Sequence, residues 1–251
     1  MKSSLLPPEL PKIFTGVILG ALFTVSGFAQ DTLIMKNNQE RPGEILSVTN
    51  KIIHFKSGPA ESTIPLDQVA SVTKAPTKEF ETAQTALKDG DYAQAAPALK
   101  VITDKFLGLP SPWVEQAAAQ LGEAYIGLDQ VVEAEKAFAS FQAAYPQSAA
   151  LANIGLAQLA IAKKNFPDAK TRLTPIIEEA SKVARADGVK GTSYGQAYFL
   201  MGQIEENEGN KPEALRDYLT TVTIFNQDPV TVKKASEKAN KLKEQKSVTV
   251  P

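Results

Sequence analysis

The 251-residue chain contains no cysteine, one histidine and one tryptophan. Without cysteine there is no disulfide, no thiol nucleophile and no thiolate metal site, and no residue of this sequence can carry a cysteine-linked lipid. A single imidazole excludes a multi-histidine metal centre. Neither sign of charge dominates: 27 Lys+Arg stand against 28 Asp+Glu, so no global field recruits nucleic acid or an anionic lipid surface. Long apolar runs are equally scarce, with one near the N-terminus. The 43% hydrophobic content is nevertheless enough to build one or two cored domains.

That single run reads as an export signal. Lys2 and Lys12 precede an apolar stretch from Ile13 to Val25, and Ser26-Gly27-Phe28-Ala29 supplies the small-x-small pattern for cleavage after Ala29. The stretch is shorter than the roughly 20 residues a spanning helix needs. Residues 1–29 are therefore expected to be a signal peptide; a retained N-terminal anchor is the alternative. Its removal leaves 25 basic and 27 acidic residues, a net charge of −2. The expected product is a periplasmic or secreted protein with no stable membrane insertion.

Residues 30–75 alternate with period two. Short β-branched runs at Thr32–Lys36, Gly43–Thr49, Ile52–Phe55, Ser62–Pro65 and Gln68–Thr73 are punctuated by Asn, Gly and Pro. Four or five antiparallel strands follow, and so small a module is expected to close into a barrel. Its rhythm resembles SH3-like and Sm-like barrels, a likeness confined to these residues that carries no function with it. His54 falls on the face opposite Ile53 and Phe55 and is expected to be an exposed strand residue.

After Pro76 the texture becomes Ala-rich with helical periodicity. One unit, beginning near Glu115, sets Leu121-Gly122-x-x-Tyr125 ahead of Ala134, Phe138 and Pro146. Small residues there let two antiparallel helices approach, aromatics fill the adjacent gap, and proline stops the second helix. Weaker copies place Gly90, Tyr92, Ala95 and Leu99; Leu156, Ala157, Ala160, Phe166, Ala169 and Leu173; and Tyr198, Met201, Gly202, Ala214 and Tyr218. Asp91-x-x-Gln94, Asn165-x-x-Asp168 and Asn210-x-x-Glu213 open the second helix of three copies with the same capping pattern.

On these residues the segment 76–228 resembles the tetratricopeptide repeat (TPR) family, whose unit is 34 residues. Copies starting near Pro76, Glu115, Ala150 and Gly195 are spaced by 39, 35 and 45 residues. The first excess falls in Leu107–Pro112. The second predicts a longer second helix in the third copy, along Leu173, Ile176, Ile177, Ala180, Val183 and Ala184, then a loop over Asp187–Ser193. Pro97 and Pro175 should kink their helices. Residues 229–251 read as a capping helix and tail, with Val232, Ala235, Ala239 and Leu242 apolar and six lysines on the opposite, solvated side. The whole is thus an α+β chain: a small antiparallel β barrel, an all-α solenoid of about four helix-turn-helix repeats, and a cap.

No catalytic constellation is present in the sequence. There is no Gly-x-Ser-x-Gly elbow, Gly188–Ser193 lacks phosphate-loop spacing, Asp89-Gly90-Asp91 lacks a calcium loop, and adjacent pairs such as Glu178-Glu179 diverge by about 100° on a helix. No enzyme activity, cofactor, metal or nucleic acid is expected. What the resemblance implies instead is a concave groove that binds protein or peptide. Carried over position by position, one groove row is Phe80, Ala119, Ile154 and Phe199; the next is Gln84, Glu123, Gln158 and Gln203. Amides can donate to and accept from an extended backbone. Packing of the apolar row against neighbouring helices or the β module is the alternative use of the same residues. The Asn and Lys of carboxylate-clamp members are absent at these places, so capture of a C-terminal carboxylate is not implied. Two functions remain: an exported scaffold or adaptor in envelope assembly or coordination, or an oligomerising envelope protein whose β module self-associates and whose repeats act as a spacer.

Overall fold

A computed structural model of the chain describes residues 30–184, 186 and 188–245. Residues 1–29, expected to be a signal peptide, and residues 246–251 of the tail lie outside the described residues. Five strands come first: β1 (Asp31–Met35), β2 (Glu40–Thr49), β3 (Ile52–Ser57), β4 (Ala60–Pro65) and β5 (Val69–Thr73). They form one antiparallel sheet in the order β4-β3-β2-β1-β5. Asn50 and Lys51 both take positive φ, the two-residue turn that matches strand twist in a hairpin, and join β2 to β3. The long β2 pairs with β1 through its first half and with β3 through its second, with a register shift between Ile45 and Ser47. Such a shift bends the sheet. The expected strands form an open sheet and not a closed barrel: among the described residues β4 and β5 are its two edges, and its apolar residues are covered by sharing one core with the first three helices that follow. His54 is half-buried, and Ile53 and Phe55 are buried on the other face as the alternation requires.

Nine helices follow among the described residues. They are α1 (Lys78–Asp89), α2 (Tyr92–Phe106), α3 (Pro112–Gly127), α4 (Val131–Ala144), α5 (Ala149–Ala162), α6 (Phe166–Ala180), α7 (Gly188–Glu208), α8 (Lys211–Thr223) and α9 (Pro229–Lys243). The first eight pair as four helical hairpins. Asp91 accepts a hydrogen bond from the Gln94 amide at 3.0 Å, and Asn165 accepts one from the Asp168 amide at 3.3 Å. Asn210 departs from the expected cap: its amide nitrogen donates to Glu205 across the turn at 2.6 Å, because that carboxylate is the stronger local acceptor. Helices α2 and α6 run continuously through Pro97 and Pro175.

The extra length in the third and fourth copies lies elsewhere than expected. Helix α6 ends at Ala180 and Val183 is 38% exposed, so the long apolar stripe does not extend it. The predicted loop over Asp187–Ser193 is instead helical from Gly188, and α7 begins well before the inferred repeat start at Gly195. Glycines at 188 and 191 read as loop punctuation, yet Gly191 is needed for close approach: a Cβ there would lie 2.6 Å from the Gln227 side chain and the Ala186 carbonyl. The added turns bury Tyr194 against Phe225, ring centroids 5.3 Å apart.

Two large apolar clusters fill the molecule. One joins the β sheet to α1–α3, so residue 76 marks a change of secondary structure without a break in the core. Lys74 sits at that junction: its ammonium is 2.7 Å from Asp31, which also accepts the Ile45 amide at 2.9 Å. Its carbonyl accepts from the Trp113 indole at 2.9 Å, and Trp113 packs on Phe80 and Phe106 at 5.5 and 6.1 Å. The second cluster spans α5–α9, where Thr231, rather than the expected Val232, is buried with Ala235, Ala239 and Leu242. Thr231 tolerates this because its hydroxyl donates to Asp228 in the cap of α9.

Helix α4 lies between the two. Phe138, 1% exposed, is wedged between Gly122 of α3 and Gly155 of α5: a Cβ on either glycine would approach the ring to 2.4 or 2.2 Å. The same device recurs where Tyr218 of α8 lies on Gly202 of α7. Tyr145 closes the other end of α4. Its hydroxyl accepts from Gly108 at 3.0 Å and donates to the Leu109 carbonyl at 3.3 Å, which holds the long α2–α3 link in place.

Because Phe138 is pinned from both sides, neither glycine tolerates a methyl group. Gly122→Ala and Gly155→Ala should each lower unfolding stability in urea by about 1–3 kcal/mol. Combining either with Phe138→Leu should shrink that penalty. An unchanged urea midpoint for both single variants would contradict the wedge.

Candidate functional site: the inner face of the solenoid

The curvature of the helical rows follows from which helices touch. Successive odd-numbered helices, α3 with α5, α5 with α7 and α7 with α9, pack on one another, whereas successive even-numbered ones have at most marginal contact. The odd helices therefore form the inner row and the even ones splay outward. Two cavities open on the outer side, as this splay requires. One of about 320 Å³ separates α2 from α4 above Leu121 and Tyr125 of α3; the other, about 290 Å³, separates α4 from α6 above Leu156 and Leu159 of α5.

The two rows expected to line the groove fare differently. Phe80, Ile154 and Phe199 are 9, 2 and 9% exposed. Phe80 rests on Trp113, and Phe199 on Tyr218 at 5.8 Å, so these three side chains are committed to packing within the fold. Ala119 is half-buried against the Phe141–Tyr145 cluster. The polar row, in contrast, is half-exposed throughout: Gln84 on α1, Glu123 on α3, Gln158 on α5 and Gln203 on α7.

Gln84 is engaged across the first interval, donating to Gln120 at 2.7 Å and accepting weakly from Gln116 at 3.5 Å. Among the described residues, no protein group hydrogen-bonds the side-chain amides of Gln158 or Gln203. Also on α7, Gln196 donates to Asp228 at 3.5 Å, while its own carbonyl oxygen is buried without a partner among the described residues.

Glu123 faces the last helix. Lys234 of α9 brings its ammonium to 3.8 Å from the Glu123 carboxylate, reaching from the end of the solenoid back to its second hairpin. Lys238, one turn on, pairs with Glu206 of α7 at 2.9 Å, and Glu206 also accepts from Tyr218. Removal from water pushes the Glu123 carboxyl above its usual range; Lys234 opposes this and Asp228 adds to it. The side chain nonetheless keeps 31% of its exposure. The half-exposed carboxylate and the α9 lysine facing it are the two sides of the cleft between α3 and α9.

Lys234 and Asp228 are the site residues that sequence reasoning missed. The lysines of α9 read as one solvated face, since periodicity shows that a face is polar but not what it opposes.

A second displaced carboxyl lies outside the cleft. Asp217 on α8 is 3% exposed, and its contact is with Arg216, 3.4 Å away and itself largely in solvent. Burial pushes it up from 3.8 to about 6, against the pull of Arg216 and helped by Glu205 and Glu213. The folded state thus prefers the protonated form. Its stabilising contribution is full below the unfolded value and is lost as pH rises from about 4 to about 6. Asp217→Asn should abolish that decline and, at pH 8, exceed the parent by up to about 3 kcal/mol in chemical denaturation. A variant less stable than the parent at pH 8 would contradict the assignment.

The fold and the inner face together define a class: helical-hairpin repeats consistent with the tetratricopeptide pattern, closed by a terminal helix and fused to a small β sheet. Residues 73–173, covering α1 to most of α6, are similar to the protein family described as YfiO, outer membrane lipoprotein. No curated protein and no solved structure matches the chain. Among the described residues, no helix is long and apolar enough to cross a membrane.

Proposed function

We propose that the protein is a non-catalytic scaffold of the bacterial-type cell envelope, exported by its N-terminal signal, which holds an extended segment of another protein along the inner face of its helical rows. The observation that carries this reading is the half-exposed polar row from Gln84 to Gln203, with amides unengaged at Gln158 and Gln203. A peptide backbone offers the donors and acceptors these amides lack. The similarity of residues 73–173 to a family described as an outer membrane lipoprotein supports the envelope as the setting. No residue of this sequence can carry a lipid on cysteine, so attachment to that membrane by this sequence would rest on protein contacts or on a retained N-terminal segment.

A photo-reactive benzoylphenylalanine placed at Gln158 or Gln203 should, on irradiation in the native envelope, give adducts to another polypeptide. The same group at Lys136, on the outer cavity's rim, should not. Adducts from Lys136 alone would place the binding surface on the outer side and overturn the reading. Adducts of twice the chain's own mass would favour self-association, for which the unpaired edges of β4 and β5 supply a route.

A further inference from the structure

The contact between Glu123 and Lys234 is unlike the other ion pairs that tie the helices together. Lys238 to Glu206 and Lys170 to Glu205 and Glu208 lie at 2.9, 2.9 and 2.6 Å, within hydrogen-bonding range. Lys234 stops at 3.8 Å from Glu123 and stays 40% exposed. At that separation it offers charge without a hydrogen bond. The carboxylate therefore has a loosely held counter-ion, Asp228 adds a second negative charge beside it, and Gln158 and Gln203 on the next two inner helices are half-exposed. Desolvation outweighing Lys234 in raising the Glu123 carboxyl is consistent with incomplete compensation.

Resting on the groove reading above, we propose that the cleft takes a basic, extended segment of a partner polypeptide, whose lysine or arginine replaces Lys234 at Glu123. Lys234 is the chain's own stand-in for that cation, delivered from α9. An acidic segment would meet Glu123 and Asp228 with like charge and is disfavoured. Spacing sets the remaining contacts. Packed helices stand about 8–10 Å apart, and an extended chain advances about 3.3 Å per residue. A cation at Glu123 on α3 thus places backbone groups roughly three residues on at Gln158 of α5, and roughly six on at Gln203 of α7.

The probe is a fluorescein-labelled peptide, Thr-Val-Lys-Thr-Val-Thr-Thr-Val-Thr, with analogues carrying Gln or Glu in place of Lys, titrated with the full chain by fluorescence anisotropy. The lysine peptide should bind about fivefold or more tightly than the glutamine analogue, and the glutamate analogue most weakly. Lys234→Gln should tighten the lysine peptide several-fold by removing the competitor. Glu123→Gln should erase the difference between lysine and glutamine peptides. Thermal unfolding of both variants close to that of the parent would show that the fold is kept. Equal binding of all three peptides would overturn the cation and leave the groove. Binding of none would overturn the proposal, and the photo-crosslinks from Gln158 then decide independently whether the groove reading falls with it.

Discussion

The seating of Phe138 between two glycines is the constraint on which the rest of the molecule depends. The chain has two large cores, one shared by the β sheet with α1–α3 and one by α5–α9. Helix α4 is the piece between them. Through Phe138 it touches α3 and α5 at once, and through Phe141 and Tyr145 it reaches Ala118, Ala152 and the α2–α3 link. A ring that fits only where two Cβ atoms are missing fixes how closely the two halves approach. It thereby fixes the approach of α3 and α5 within the inner row.

The curvature of the inner row gives the polar row its character. Were the odd helices straight, Glu123 would be an ordinary half-exposed surface acid and Lys234 a distant lysine. Curled, the rows bring α9 back within reach of α3 and strip water from Glu123. Charge bookkeeping over the whole chain, 27 basic against 28 acidic residues, conceals this. Two of the lysines of α9 are directed onto acids of α3 and α7. The near-neutral total conceals a polarised interior face.

The features legible in the sequence were the local ones. Gly122, Ala134 and Phe138 lie within one hairpin, and their spacing alone states how its two helices pack. The caps at Asp91 and Asn165 follow from three-residue geometry. Strand alternation likewise placed Ile53 and Phe55 inward and His54 outward. The start of α7 was illegible because Gly188 and Gly191 have the same sequence appearance whether they open a loop or permit close packing. The apolar groove row stayed open between two uses for a related reason: a residue facing the next inner helix and one facing a ligand share the same position in the repeat. Phe80 and Phe199 therefore read equally as groove aromatics or as packing residues, and in the fold they pack on Trp113 and Tyr218. Lys234 opposite Glu123 could not be read at all, since nothing local connects positions that only the accumulated curvature of the repeats brings together.

A zero-length carbodiimide cross-link reports the curl of the inner row. This reagent joins a lysine to a carboxylate without a spacer, so it reports only pairs already near contact. Mass spectrometry of the digested monomer should recover Glu123 joined to Lys234, alongside Glu206 joined to Lys238, and both links should vanish when the chain is unfolded in denaturant before reaction. Recovery of the Glu206–Lys238 link without the Glu123–Lys234 link would mean that α9 is docked but the rows do not curl, and would contradict the cleft.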